Sequence, residues 1–392
     1  MSEPSRPRRG RHRAPSTAHT GDDVLSGLLL VARLTLLALF ATLVARGHIG
    51  GPDVYRFRDI AVAPGTPWRD FSVEYAPLQV ALLRTLFGAS LQADAFRQAL
   101  LAFAADVAAF AALRIVWGRR AGLLFLALGL PLQAFIYQRI DLVSVALAVI
   151  GLAFARKDHE RTGGSVMAAA SLFKLWPIAL LPAFAIDRRR RALAWSVALI
   201  VAGGVVWILI GGIHAPGQVS SFRGSTGWQE ESSIGSVVWL VTGGPHRFEG
   251  GAWRVGTIPG WAPALLGIAT LVALGAIWIR ASRLEDDPAG APSLVAVSAL
   301  VLLSPVFSAQ YVCWLLPWAA IASAERRRNM MLIAVFAAVF LTGATDLIRN
   351  AHHGSVLDFQ WLGLLRNVAV AAVIPVWWLE RPSTDPAVAT SR

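Results

Sequence analysis

Apolar residues in this chain come in long blocks instead of the alternations or one-sided stripes of a soluble domain. Val24 to Val44 is a run of about the length needed to cross a bilayer, roughly 20 residues. Further blocks lie near Asp94 to Val116, Ala121 to Ile136, Leu142 to Ala155, Gly163 to Ile186 and Trp195 to Ile213. Beyond them come Trp261 to Ile279, Leu294 to Pro305, Tyr311 to Ser323, Met331 to Leu347 and Trp361 to Trp378. Such blocks predict an all-α, polytopic transmembrane bundle of about 10 to 12 membrane helices.

Arginine clusters between the blocks set the threading, because basic residues collect in cytoplasmic loops. Arg6, Arg8, Arg9, Arg11 and Arg13 mark residues 1–23 as a disordered cytoplasmic tail, and Arg119-Arg120, Arg156-Lys157 and Arg326 to Arg328 mark later returns. A signal peptide competes for the first block, but the long tail ahead of it and the lack of a small-residue cleavage site favour a retained helix. The block Gly163 to Ile186 is basic at both ends, with Arg156, Lys157 and Arg161 before it and Arg188 to Arg191 after it. Its middle, Phe173-Lys-Leu-Trp-Pro177, joins a charge to a helix breaker, which predicts a tight hairpin of two short helices; one straight span is the plainer alternative. With the hairpin, residues 24–380 form one membrane domain and residues 381–392 end in the cytoplasm. Every long polar segment then falls on the outer face, chiefly a first outer loop over 47–93 and a second over 214–260.

Composition supports this class. The 392 residues are 55% hydrophobic and only 15% charged, more apolar surface than a soluble domain of that size buries. The net charge of +12 would suggest nucleic acid in a soluble protein, yet here the arginines sit between apolar runs and read as topology signals, so no nucleic-acid partner is expected. A single cysteine, Cys313, provides neither a disulfide framework nor a thiolate metal site. His352-His353 beside Asp358 lacks a suitably spaced third ligand, so no metal and no cofactor is expected.

The first outer loop carries the densest chemistry. Asp53, Asp59, Asp70 and Glu74 stand with Arg56, Arg58 and Arg69 where a membrane protein meets water. The plainer reading pairs Asp53 and Asp59 with Arg56 and Arg58 on a solvated loop, and pairs Asp70 with Arg69 or uses it to cap the turn after Gly65-Thr-Pro67. Lys174, a lone cation at the bend of an apolar hairpin, needs a polar cavity or a counter-ion, with Asp106 the candidate for an internal pair. Arg223, Arg139 and Arg349 are further outer cations suited to phosphate or to anionic lipid.

Several of these segments resemble a known family. Asp53-Val-Tyr55 followed by Gly65-Thr-Pro-Trp-Arg-Asp-Phe-Ser-Val-Glu-Tyr-Ala-Pro77 is similar to the first outer loop of the polyprenyl-phosphate-mannose-dependent mannosyltransferases of glycosyltransferase family 87. Lys174-Leu-Trp-Pro177, Gly227-Trp-Gln-Glu-Glu-Ser232 and Leu303-Ser-Pro-Val-Phe-Ser-Ala-Gln-Tyr311 through Pro317 follow in the family's order. Two departures are Tyr75-Ala-Pro77 where the family commonly has Tyr-Pro-Pro, and Arg223-Gly224 lying earlier than the usual Arg-Gly pair. The resemblance implies a bundle of the GT-C type that moves a sugar, mannose in that family, from a polyprenyl phosphate donor to a lipid or glycan acceptor outside the cytoplasmic membrane. Membrane lipids are its surroundings and a lateral entry between helices its route for the donor.

Such a reaction needs a base for the acceptor hydroxyl and cations for the departing phosphate. Inversion by single displacement needs one base, where retention would need a nucleophile at the anomeric carbon. Asp53, two residues before Tyr55 and near the family's acidic position, is the leading base and Asp59 its rival. Lys174 with an outer arginine such as Arg223 is the expected phosphate clamp. Tyr55, Arg69, Asp70 and Glu74 would shape the donor site; Trp228, Gln229 and Glu231 would line a sugar or acceptor pocket, and Gln310 and Tyr311 would meet the carrier. Structure alone accounts equally well for Glu74, for interfacial Trp228, and for Gln310-Tyr311 as a capping turn. A lipid-linked sugar transporter or flippase is the alternative, and it would need a polar path to the cytoplasmic face; a noncatalytic partner on the same scaffold is a third reading.

Overall fold

The computed structural model describes residues 18–47, 53–132, 136–219, 225–326, 329–351 and 360–379. Its elements in chain order are α1 (Ala18–Ala45), α2 (Asp53–Val62), α3 (Pro77–Leu86), α4 (Leu91–Val116), α5 (Arg119–Leu128), α6 (Asp141–Arg156), α7 (Glu160–Phe173), α8 (Leu181–Ile186), α9 (Arg190–Gly211) and the single turn α10 (Ala215–Gln218). There follow β1 (Trp228–Gln229), α11 (Ser233–Thr242), β2 (Arg247–Glu249), β3 (Ala252–Val255), α12 (Ala262–Ala281), α13 (Ala291–Leu303), α14 (Leu316–Arg326), α15 (Asn329–Ala351) and α16 (Gln360–Leu379). Short 3-10 turns cover Trp176–Leu180 and Ala309–Leu315.

Among the described residues, six helices are long and apolar enough to cross a membrane: Gly21–Ala45 within α1, α4, α9, α12, Asn329–Ile348 within α15, and α16. Other expected spans are shorter. α5 stops after 10 residues at Gly129 and Pro131, and α13 after 13 at Ser304-Pro305, where proline cannot continue the hydrogen-bond ladder. Burial of most of α13, including Leu294, Val295 and Val297, makes it an interior helix. α1 begins at Ala18, inside the expected tail, because Asp23 has a role: it pairs with Arg114 at 2.8 Å and Arg119 at 3.0 Å.

The chain does reverse within residues 160–186. α7 ends at Phe173, Lys174 is extended (φ −142°, ψ 137°), and Pro177 opens the 3-10 turn that leads into α8. The two ends of the excursion meet again, since the backbone N–H groups of Arg191 and Ala192 donate to Glu160 Oε2 at 2.9 and 3.2 Å. Small residues allow the close packing of this hairpin. A Cβ on Gly163 would lie 2.6 Å from both the Ala155 nitrogen and the Gly151 carbonyl of α6. Gly163→Ala is therefore expected to destabilise by about 1–3 kcal/mol, seen as a lower unfolding temperature in detergent. An unchanged temperature would mean that α6 and α7 separate without cost.

An ion pair in the interior ties α1 to α4. Arg33 Nε donates to Asp106 Oδ2 at 2.6 Å with both side chains about fully buried, Tyr137 Oη donates to the same oxygen at 2.9 Å, and Arg33 Nη1 donates to the Leu126 carbonyl at 3.0 Å. Asp106 is thus committed to Arg33 and not to Lys174.

Two expectations about the polar segments need correction. The first is not an open loop, because α2 and α3 occupy much of it; Val54, Phe57 and Ile60 recur at helical spacing and are buried. The second is not all-α. It folds a small antiparallel sheet in the order β1-β3-β2, with Gly250 and Gly251 at φ +58° and +81° forming the two-residue turn between β2 and β3. Cross-strand partners give the sheet two faces. Trp228, Val255, Trp253 and Phe248 form the apolar face, and Gln229, Arg254 and Arg247 form a polar row on the other.

Candidate active site

α6 and α7 lie side by side, and each end of the pair carries charge. At one end Arg156 pairs with Asp287, which also accepts from Trp117 Nε1 at 2.9 Å, and Arg189 pairs with Asp158. At the other end Asp141, the first residue of α6, faces Lys174, the residue that follows α7, with Nζ 2.5 Å from Oδ1. Both charges suit their helix ends, an anion at an N-terminus and a cation at a C-terminus.

Aromatic rings enclose this pair. Trp314 Nε1 donates to Asp141 Oδ1 at 3.0 Å, Trp176 stacks on Trp314 with centroids 5.1 Å apart, and Tyr311 stacks on its ring at 4.1 Å. Lys174 Nζ stands over the rings of Tyr311 and Trp314 at 5.4 and 5.5 Å. The expected cation of the hairpin bend therefore has a counter-ion, and it is Asp141.

Asp53 opens α2 and is paired with Arg139, which lies two residues before Asp141. The charges of Asp53 and Asp141 both act on Arg139, and those of Lys174, Asp141, Asp53 and Arg254 all act on Tyr311, so these groups form one electrostatic neighbourhood. Asp59 does not share it in the same way. Six residues further along α2, it is turned by about 240° and raised by about 9 Å, and it is exposed. The expected partners Arg56 and Arg58 are engaged elsewhere. Arg56 grips Glu74 with Nε at 3.0 Å and Nη2 at 2.6 Å, which holds its guanidinium above the ordinary range, and Arg58 reaches the buried Asp94 at 3.3 Å.

Around residues 65–75 the side chains serve the backbone. Asp70 Oδ2 accepts from the Thr66 N–H at 2.6 Å, the turn-capping alternative, and Arg69 donates to the Leu209 carbonyl at 3.3 Å instead of pairing with Asp70. Gly65 has φ +90°, and a Cβ there would meet Asp70 Oδ2 at 2.7 Å, so the turn requires glycine. Gln218 of α10 stitches the segment down, accepting from the Val73 N–H at 3.0 Å and donating to the Trp68 carbonyl at 2.7 Å. Tyr55 is 47% exposed on α2.

The sheet reaches the site through Gln229, whose Nε2 donates to Ser308 Oγ at 3.3 Å, just before Gln310 and Tyr311. Trp228 is buried with Val255 and Ala262, so packing is its observed part. Glu231 is anchored by its carbonyl, which accepts from Asn367 Nδ2 at 3.1 Å and from Arg366. Its neighbour Glu230 is buried against His246 Nδ1 at 2.9 Å, where burial pushes the imidazole's pKa down. Arg247 and the Thr226 N–H hold the Glu249 carboxyl at about 2. Arg223, His352, His353 and Asp358 lie outside the described residues, as does the side chain of Arg349. Among the described residues no cluster of histidine, cysteine and carboxylate side chains is arranged to hold a metal.

The sequence pattern that defines glycosyltransferase family 87 matches residues 75–305, more than half of the chain. The chain belongs to glycosyltransferase family 87. No curated protein matches it. As a family 87 glycosyltransferase it takes a sugar donor and an acceptor, on a mostly helical scaffold whose apolar helices suggest a membrane protein. The matched range holds Asp141, Lys174 and Arg254, while Asp53, Asp59, Gln310 and Tyr311 lie outside it.

Three participants in this constellation had gone unassigned. Asp141 carried the same warning as Lys174, an ionisable residue beside an apolar run. Trp314 was one of 15 tryptophans and had no distinguishing spacing. Arg254 had a local signal, a Gly-Gly pair between two short runs of alternating side chains, which is the mark of a hairpin.

Proposed function

We propose that this family 87 glycosyltransferase transfers mannose from a polyprenyl phosphate carrier to a lipid or glycan acceptor, at the outer boundary of the cell membrane and with inversion at the anomeric carbon. The observation that carries the reading is the meeting of two ion pairs, Asp53 with Arg139 and Asp141 with Lys174, at one end of the α6–α7 hairpin. A sugar phosphate already has its leaving group, so the chain has to supply a base and a stabiliser of the departing anion. Asp53 is the base. It is partly exposed and Arg139 orients it, whereas Asp141 is occupied by Lys174 and Trp314.

Lys174 stabilises the phosphate that leaves. Its ammonium sits on the faces of Tyr311 and Trp314 beside Asp141, and an arriving phosphate competes for it with that carboxylate. The other end of the α6–α7 hairpin, rich in arginine, suits the cytoplasmic surface, which supports a site on the outer one.

Purified protein given radiolabelled polyprenyl phosphate mannose and membrane lipid acceptors should move label to the acceptor, with the new linkage opposite in configuration to the donor's. Label that never leaves the carrier would reject the reading, and a retained configuration would reject the single displacement. For the topology, a cysteine placed beside Asp70 should react with a membrane-impermeant thiol reagent in intact cells; absence of labelling counts against the outer face.

A further inference from the structure

The polar face of the sheet is built toward the site. Gln229 and Arg254 are direct cross-strand partners, so their side chains leave the same face, and Gln229 fixes that face against Ser308, three residues before Tyr311. Tyr311 in turn lies beneath Lys174. Arg254 is only 3% exposed, its stem packed against Gly227, where an added Cβ would sit 2.9 Å from the Arg254 Cβ; Nη1 donates to the Gly227 carbonyl at 3.5 Å. The next arginine in the row, Arg247, is turned to other work, with Nε 2.5 Å from Glu249 and Nη2 2.6 Å from the Gly256 carbonyl. The face that meets Ser308 thus carries Arg254 in a low-dielectric setting, where a guanidinium and a phosphate interact strongly.

We propose that Arg254 is the second phosphate-binding cation of this site, facing Lys174 across Tyr311, so that the carrier phosphate is gripped from both the helical bundle and the sheet. The inference rests on the reading of a phosphate-linked donor. It gives the second polar segment a task, which is to close the anion site from the side opposite the hairpin. A planar guanidinium can give two parallel N–H bonds to phosphate oxygens, and the ammonium of Lys174 gives the point charge.

The test measures binding of polyprenyl monophosphate to the full chain in lipid nanodiscs, against the uncharged polyprenol of equal length. Wild-type protein should prefer the phosphate. Arg254→Gln should weaken phosphate binding at least about tenfold and leave the polyprenol unchanged, with donor KM rising by a similar factor. Arg247→Gln, which removes an equal charge from the same row, should stay within about twofold on the same reasoning. Should Arg254→Gln lose its fold, Arg254→Lys decides: it is expected to bind the phosphate at least about threefold more weakly, because lysine lacks the two-pronged geometry. Equal weakening toward both lipids, or unchanged phosphate binding in a folded variant, overturns the proposal, as does a wild type indifferent to the phosphate. Selective phosphate binding lost in Arg254→Gln without any sugar transfer would sink the proposed reaction and leave this site standing. Transfer with unaltered donor affinity in that variant would do the reverse.

Discussion

Replacing Asp53 by asparagine is expected to lower the turnover of sugar transfer by about 10²–10⁴-fold, the usual contribution of a positioned general base. Asparagine keeps the shape and the start of α2 but cannot take the acceptor's proton. The effect should fall on kcat more than on donor KM, because Lys174 and its aromatic surround remain in place. Asp59→Asn, six residues away on another side of the same helix, should stay close to wild type. The two variants together are decisive, since full activity in Asp53→Asn with a large loss in Asp59→Asn would exchange their roles. Arg139 distinguishes a base from a merely structural anion: Arg139→Gln should leave the Asp53 carboxylate less well oriented and lower kcat more than it changes donor KM.

The second large effect concerns stability. Arg33→Met and Asp106→Leu should each destabilise the protein by about 3–5 kcal/mol, because either change leaves one uncompensated charge in the interior. The double variant should recover most of that loss, since apolar residues of similar volume replace a buried pair at little net cost. Denaturant unfolding of the detergent-solubilised protein reads both results. Additive losses in the double variant would mean that the two side chains are held by other groups. Tyr137→Phe removes one hydrogen bond to Asp106 and should cost about 1 kcal/mol.

Much of the fold could be read from residue patterns, and the physical reasons are specific. The helices over 91–116 and 262–281 follow from long apolar runs, and the reversal at Lys174 follows from a charge placed next to a proline-bearing break with basic residues at both ends. Several runs expected as spans form shorter helices, because hydropathy cannot tell a lipid-facing helix from one packed among other helices. Pairing was harder still. Asp53 finds Arg139 and Lys174 finds Asp141 across about 86 and 33 residues of chain, and only the packing of α2, α6 and α7 brings them together. Local neighbours in sequence, such as Arg56 and Arg58 near Asp53, proved to belong to Glu74 and Asp94.

The α6–α7 hairpin has ion pairs at both ends, and this makes it a measuring rod. Asp141 and Arg156 are the two ends of the 16-residue α6, about 22 Å apart along the helix. Arg156 is fixed to Asp287, and the excursion that begins at Glu160 is closed onto Arg191 and Ala192. The position of Lys174 is therefore fixed partly from the far end of the α6–α7 hairpin, by charges remote from the Asp141–Lys174 pair. On the proposed reading, a change at the Arg156–Asp287 end would shift Lys174 relative to Asp53, and so alter how donor and acceptor meet.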